Sequence, residues 1–314
     1  MIRNFKTLCG FTMSAILVLA TGLAQAQTQT QTGVSNPLSL RSTLGLPVIP
    51  IFEGAYENAD GSVSYSFGYL NRNTGGSIAI PLGGNNRIEP AEFNGMQPTY
   101  FEPGRGTGVF TVTVPAAMRD GEVWWYLKTE GQDELKVPGR RGRLGYTLDS
   151  TPRPAGSLAP LVSFTQGGPQ GKDPMGIMAP NALTVKVGVP VTLTVHTEDP
   201  SVRDPLDPRN EKPIPLRVSW HKHQGQGEVT YEKHASSEEP PALTPLQVSR
   251  GVKQPGPKQT MLTPGRGTAS VLATFSEPGD YIIRTMVDNW EATDSTEQDQ
   301  CCWTNAYQKI TVTP

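Results

Sequence analysis

The stretch Phe275–Trp290 sets the strongest limit on the fold. It reads Phe-Ser-Glu-Pro-Gly-Asp-Tyr and continues Ile-Ile-Arg-Thr-Met-Val-Asp-Asn-Trp. Pro278 and Gly279 make a turn that no helix interior tolerates, and the residues beyond them alternate with period two. Tyr281, Ile283, Thr285 and Val287 fall on one face of a strand; Ile282, Arg284, Met286 and Asp288 fall on the other. The terminal run Tyr307–Pro314 answers it as a further strand. The same punctuation holds elsewhere: 33 glycines and 29 prolines interrupt short Val/Ile/Thr/Tyr runs, which excludes long helices and predicts an all-β chain.

The N-terminus reads as a targeting segment. Arg3 and Lys6 form a charged region, Phe11 to Leu23 an apolar core, and Ala24-Gln25-Ala26 a cleavage site. The apolar run is shorter than the ~20 residues a membrane span needs. Residues 1–26 are therefore expected to be a signal peptide, and the mature chain to be periplasmic or secreted. Residues 27–45, rich in Gln and Thr, have little to bury and are expected to be a disordered lead. Loss of Arg3 and Lys6 takes the formal net charge from −2 to −4, a balance that argues against nucleic acid or an anionic membrane as partner.

The rest is long enough for two sandwich domains of ~100 residues each plus insertions. In residues 46–150, the strand around Val63, Tyr65, Phe67 and Tyr69 has one aromatic face, and Gly108–Val114 and Glu122–Lys128 are further strands. Residues 151–180 read as linker and loop, and 181–314 as the second sandwich. An internal echo relates the halves. Glu102-Pro-Gly-Arg-Gly-Thr107 precedes one β-branched run, and Thr263-Pro-Gly-Arg-Gly-Thr268 precedes another.

The second half resembles a bacterial immunoglobulin-like or PKD-like β-sandwich. The residues that carry the resemblance are Val191–Val195 on strand B, Trp220 on C, Pro278-Gly279-Asp280-Tyr281 at the E–F corner and Tyr307–Val312 on G. It implies a corner tyrosine, Tyr281, whose hydroxyl ties to nearby backbone. The B–F cysteine pair of antibody domains is absent, since position 195 is Val. The first half carries no such resemblance.

Four constellations could hold chemistry. His221 and His223 share one side of a strand, ~7 Å apart, as a Zn²⁺ or Cu²⁺ pair would, or else lie as solvated imidazoles on an outer sheet face. Cys301 and Cys302, the cysteines left after cleavage, are adjacent; a structural vicinal disulfide is weighed against a redox or soft-metal site. Asp199, Asp204 and Asp288, with other loop carboxylates including Asp294 and Asp299, could converge on Ca²⁺ at one end of a sandwich, or be solvated. Trp124 and Trp125 could stack on a ligand, although adjacent strand residues face opposite ways, so one belongs to the core.

No nucleophile elbow, zincin helix or phosphate loop is present. The expectation is an exported, non-catalytic binding, adhesion or envelope-associated protein, monomeric or weakly associating, without cofactor. Its ligand would be an extracellular or envelope protein or carbohydrate. The alternative is a metal-handling protein or metalloenzyme built on His221 and His223.

Overall fold

The computed structural model describes residues 44–237, 242–249, 254–295 and 301–314. Residues 1–26, expected to be a signal peptide, and nearly all of the Gln/Thr-rich lead lie outside these residues, as does Asp299. Within Ser42–Pro314, one compact unit, two hydrophobic cores form where alternating strands face each other.

The first core lies between two sheets. β1 (Val48–Glu57), β2 (Val63–Asn71) and β4 (Gly104–Val114) pair in the order β4–β2–β1; β3 (Asn86–Glu89), β5 (Val123–Leu127) and β6 (Leu135–Gly139) pair as β3–β5–β6. Tyr65, Phe67 and Phe110 project from one sheet onto Trp125 and Leu127 of the other, all fully buried. Phe67 stacks on Phe110 at 5.3 Å, and Phe110 meets Trp125 edge-on at 5.0 Å, both favoured aromatic geometries.

The second core repeats the plan. β8 (Val191–Glu198), β12 (Arg266–Phe275) and β10 (Val229–Lys233) form one sheet, edged by Leu161–Ser163. The other runs β11 (Gln259–Leu262), β9 (Leu216–Gln224), β13 (Gly279–Asp288), β14 (Trp303–Thr313), with β7 (Leu183–Lys186) and Ile177–Met178 both parallel to β14. Strands A, B, E and D thus face C, F and G, with β11 added at the free edge of C: this half is an immunoglobulin-like sandwich. In the first half, β1, β2 and β4 occupy A, B and E, while β3, β5 and β6 occupy C, F and G. Two immunoglobulin-like sandwiches make up the described chain. The stretch 151–180 supplies Leu161–Ser163 and Ile177–Met178 to the second sandwich, and β11 lies where the sequence suggested no strand.

The repeated Pro-Gly-Arg-Gly-Thr opens β4 in the first sandwich and β12 in the second, both of them strand E. The echo in sequence is therefore an echo in topology.

At the E–F corner the Tyr281 hydroxyl donates to the Glu277 carbonyl at 2.9 Å and accepts from the Gly227 amide at 3.1 Å. Its ring packs on Phe275. Gly225, at φ +128°, lies directly under that ring, where any Cβ would collide with it. Tyr281→Phe removes both hydrogen bonds while keeping the ring, so it is expected to lower the unfolding free energy by about 1–3 kcal/mol in urea titrations, with an unchanged m-value.

Candidate functional site

The outer face of the β9–β13–β14 sheet is unusual for a sandwich because it is covered. Register places Arg217, Asp288 and Trp303 in one cross-strand row, Ser219, Met286 and Asn305 in the next, and His221, Arg284 and Tyr307 in a third. Ile282, Arg284 and Asp288 are buried, although they alternate with the core residues Tyr281, Ile283 and Val287. The first sandwich sits on them.

Its docking loop is Gly95–Val109, and the contacts are mostly polar. His221 Nδ1 lies 2.9 Å from one Glu102 carboxylate oxygen, and Lys258 Nζ donates to the other at 2.7 Å. His223 Nε2–H donates to the Met96 carbonyl at 2.7 Å, and the Thr99 amide donates to the His223 carbonyl at 2.8 Å. The Gln224 amide reaches the carbonyls of Gly95 and Gln97, both at 2.7 Å. Further along, Asn305 Nδ2 donates to the Gly108 carbonyl at 2.6 Å and the Tyr307 hydroxyl to the Val109 carbonyl at 2.8 Å. The predicted metal pair thus shares one side of its strand. That side faces the first sandwich, not solvent, and each imidazole has a protein partner there.

Burial sets the protonation of this seam. Desolvation pushes the His223 imidazole down to about 3, against the pull of the Met96 carbonyl and helped by the nearby Arg284 charge. His221 is also lowered, burial outweighing Glu102. In the neutral imidazole this contact places the proton on Nδ1, toward the carboxylate, and leaves a lone pair on Nε2. Burial opposes ionisation of Glu102, but the N–H from His221 and the Lys258 ammonium outweigh it and hold its carboxyl well below the usual range.

Between the sandwiches a cleft of about 170 Å³ remains, lined by Tyr69, Glu102 and Arg105 on one side and by Arg217, Ser219, His221, Arg284 and Trp303 on the other. Two of its arginines have carboxylates: Arg105 pairs with Glu53 at 2.5 Å, and Arg217 with Asp288 at 3.0 Å. Arg284 is buried and donates to a neutral group, Asn305 Oδ1, at 3.1 Å. Ser219 Oγ, His221 Nε2 and Trp303 Nε1 are buried and make no hydrogen bond among the described residues. Buried polar atoms of this kind are rare, because leaving one unpaired costs about 1–3 kcal/mol.

The remaining sequence candidates have other surroundings. Cys301 and Cys302 are joined as a buried vicinal disulfide just ahead of β14, with the Cys302 amide donating to Ser295 Oγ at 3.1 Å. Asp199 pairs with Arg203 at 2.9 Å, Asp204 accepts the Leu206 amide at 2.8 Å, and Asp288 is the partner of Arg217. These three carboxylates do not converge, and no group of three or more His, Cys, Asp or Glu side chains is placed to hold a metal ion among the described residues. Trp125 is a core residue, donating to Asn86 Oδ1 at 3.0 Å, which corrects its reading as a stacking platform. Trp124 points outward, half-buried, with Lys136 Nζ 4.8 Å above its ring.

Sequence reasoning missed the cleft. The signal was nonetheless present on β13 and β14: apolar or aromatic residues (Ile282, Met286, Trp303, Tyr307) occupy the alternate positions too, as in a sheet covered on both faces.

Neither a protein-family model nor a curated protein matches the sequence. Among solved structures the chain is similar to the "D00-D0 domain of Intimin" (10% identity, 85% of this chain and 100% of that one, TM-score 0.25). It is also similar to "Tandem Ig repeats of Dlar" (11%, 85% and 98%, TM-score 0.26) and to the Yersinia pseudotuberculosis adhesin InvE (10%, 84% and 58%, TM-score 0.23). With scores this low, the assignment of the fold rests on strand order and register. Among the described residues no helix is long and apolar enough to cross a membrane.

Proposed function

We propose that the chain is an exported, non-catalytic binding protein of the adhesion or envelope-associated kind, contacting an extracellular protein or carbohydrate. The observation that carries this reading is the engagement of its histidines. His221 and His223 fasten one sandwich to the other. His196 pairs across strands with Thr268 at 2.9 Å on an exposed face, and His234 closes a local turn on Ser236. Neither of these imidazole–hydroxyl pairs has a carboxylate orienting the ring among the described residues, so neither has the arrangement of a nucleophile–histidine–acid triad. Two sandwiches joined in one compact unit leave loops and sheet faces for a partner.

The test is a paired assay on purified mature protein. Labelled protein is expected to bind saturably to an array of immobilised oligosaccharides and extracellular-matrix proteins. It is expected to turn over no ester, peptide or glycoside substrate, and its native mass to equal the apo mass. Turnover abolished by one polar substitution, or a bound Zn or Cu lost in the His221→Ala, His223→Ala double variant, would overturn the reading in favour of an enzyme or a metal-handling protein.

A further inference from the structure

We propose that the cleft between the sandwiches binds a small hydroxylated oxyanion of monosaccharide size, a sugar acid or the sulfate group of a sugar, with Arg284 as its charge partner. The proposal rests on the binding-protein reading above and names the ligand class of one site within it.

Three features point to this chemistry. The first is the charge pattern. Arg105 and Arg217 are neutralised from behind by Glu53 and Asp288, which do not line the cleft; Glu102, which does, is engaged by His221 and Lys258. Arg284 is buried on a central strand beside the neutral Asn305, with no carboxylate paired to it among the described residues. A buried guanidinium without a carboxylate is costly unless something anionic completes it, and its planar fork fits a two-oxygen anion. The second is the orphan set. Trp303 Nε1–H can only donate, and Trp303 is 2% exposed; Ser219, 1% exposed, offers a hydroxyl. Ser219, Trp303 and Arg284 all line this one cleft, and their N–H and O–H groups are the donors there that a ligand oxygen would complete. The third is His221 Nε2. Because Nδ1–H is directed at Glu102, the Nε2 lone pair is an acceptor with nothing to accept, and a ligand hydroxyl would satisfy it. Donors for an anion and an acceptor for a hydroxyl describe a hydroxy acid rather than a bare ion. A volume of about 170 Å³ lies below the roughly 300–1,000 Å³ of drug-sized sites, so one sugar unit fits and an oligosaccharide does not.

Isothermal titration calorimetry of the full mature chain at constant ionic strength tests this, with D-glucuronate, inorganic sulfate and neutral D-glucose as probes. Glucuronate is expected to bind saturably, sulfate to compete with it, and glucose not to bind. Arg284→Gln is expected to weaken glucuronate roughly tenfold or more, since hydrogen bonds to charged groups contribute about 1.5–3 kcal/mol. Trp303→Phe keeps the aromatic packing while deleting the N–H, and a loss of several-fold is expected there even if Arg284→Gln fails to fold. Binding of sulfate without glucuronate would show a site for a bare anion and overturn the hydroxylated ligand. No saturable binding of either anion at millimolar concentration, equal binding of glucose, or unchanged affinity in both variants would overturn it. Array binding that persists while anion binding is absent would overturn this site alone; catalytic turnover would overturn the broader reading.

Discussion

Lowering the pH from 7 toward 4 is expected to destabilise the protein by about 1.4 kcal/mol per pH unit through His223 alone. The imidazole takes a proton near pH 6.5 when unfolded but only at about 3 when folded. Between those values the unfolded chain binds a proton that the folded chain does not. Stability therefore rises with pH across this window and is lost as pH falls. His221 is displaced in the same direction by its burial. Glu102 acts in the same sense lower down: its folded carboxyl ionises well below the ordinary 4.5, so the stability it contributes above that pH fades as acid protonates the unfolded chain first. Urea titrations at unit pH intervals check this against His223→Gln, whose amide can still donate to the Met96 carbonyl without titrating. The variant's stability should fall with acidification less steeply than the wild type's, by about 1.4 kcal/mol per unit. Parallel slopes would mean that His223 is accessible to protons in the folded state.

This seam was the least legible part of the sequence, and the reason is physical. A strand's two-residue period tells which residues share a face, and it placed Tyr281, Ile283 and Val287 together correctly. It does not tell what covers the opposite face. Arg284, Asp288, Ser219 and His221 have the polarity of a solvated surface, and only a neighbouring domain on top of them makes them interior. The local signals fared better. Pro278-Gly279-Asp280-Tyr281 encoded the corner, because the turn, the glycine under the ring and the tyrosine hydroxyl all lie within a few residues or one hairpin. Pro-Gly-Arg-Gly-Thr encoded the start of strand E twice. Yet the first copy also forms the docking loop, and nothing in its residues distinguishes it from the exposed second copy, where Arg266 pairs with Glu198 in solvent. The distinction comes from the partner surface, which is assembled from β9, β13 and β14 far along the chain.

Gly108→Val is expected to break the union of the two sandwiches, with a loss of about 2–5 kcal/mol in total. Gly108 has φ +52°, a left-handed conformation that a β-branched residue adopts only under strain of roughly 1–2 kcal/mol. Its missing side chain is also what admits Trp303: a Cβ would stand 2.5 Å from the indole Cζ2 and 3.0 Å from Nε1. Forcing extra atoms into so tight a contact costs about 1–3 kcal/mol more. The indole has little room to retreat, because it is 2% exposed and follows directly on the buried Cys301–Cys302 disulfide. Relief comes most readily if the first sandwich lifts away, and that motion also breaks the Asn305–Gly108 and Tyr307–Val109 hydrogen bonds. Neither hydrophobic core includes Gly108, so each sandwich should keep its own packing. Calorimetry should therefore show the main transition falling by about 5–15 °C and broadening or splitting in two, while solution scattering reports a larger radius of gyration. Gly108→Ala, which keeps the clash but has no branch at Cβ, should fall between the variant and the wild type. A melting profile and radius identical to the wild type's would show that the Trp303–Gly108 contact does not hold the sandwiches together.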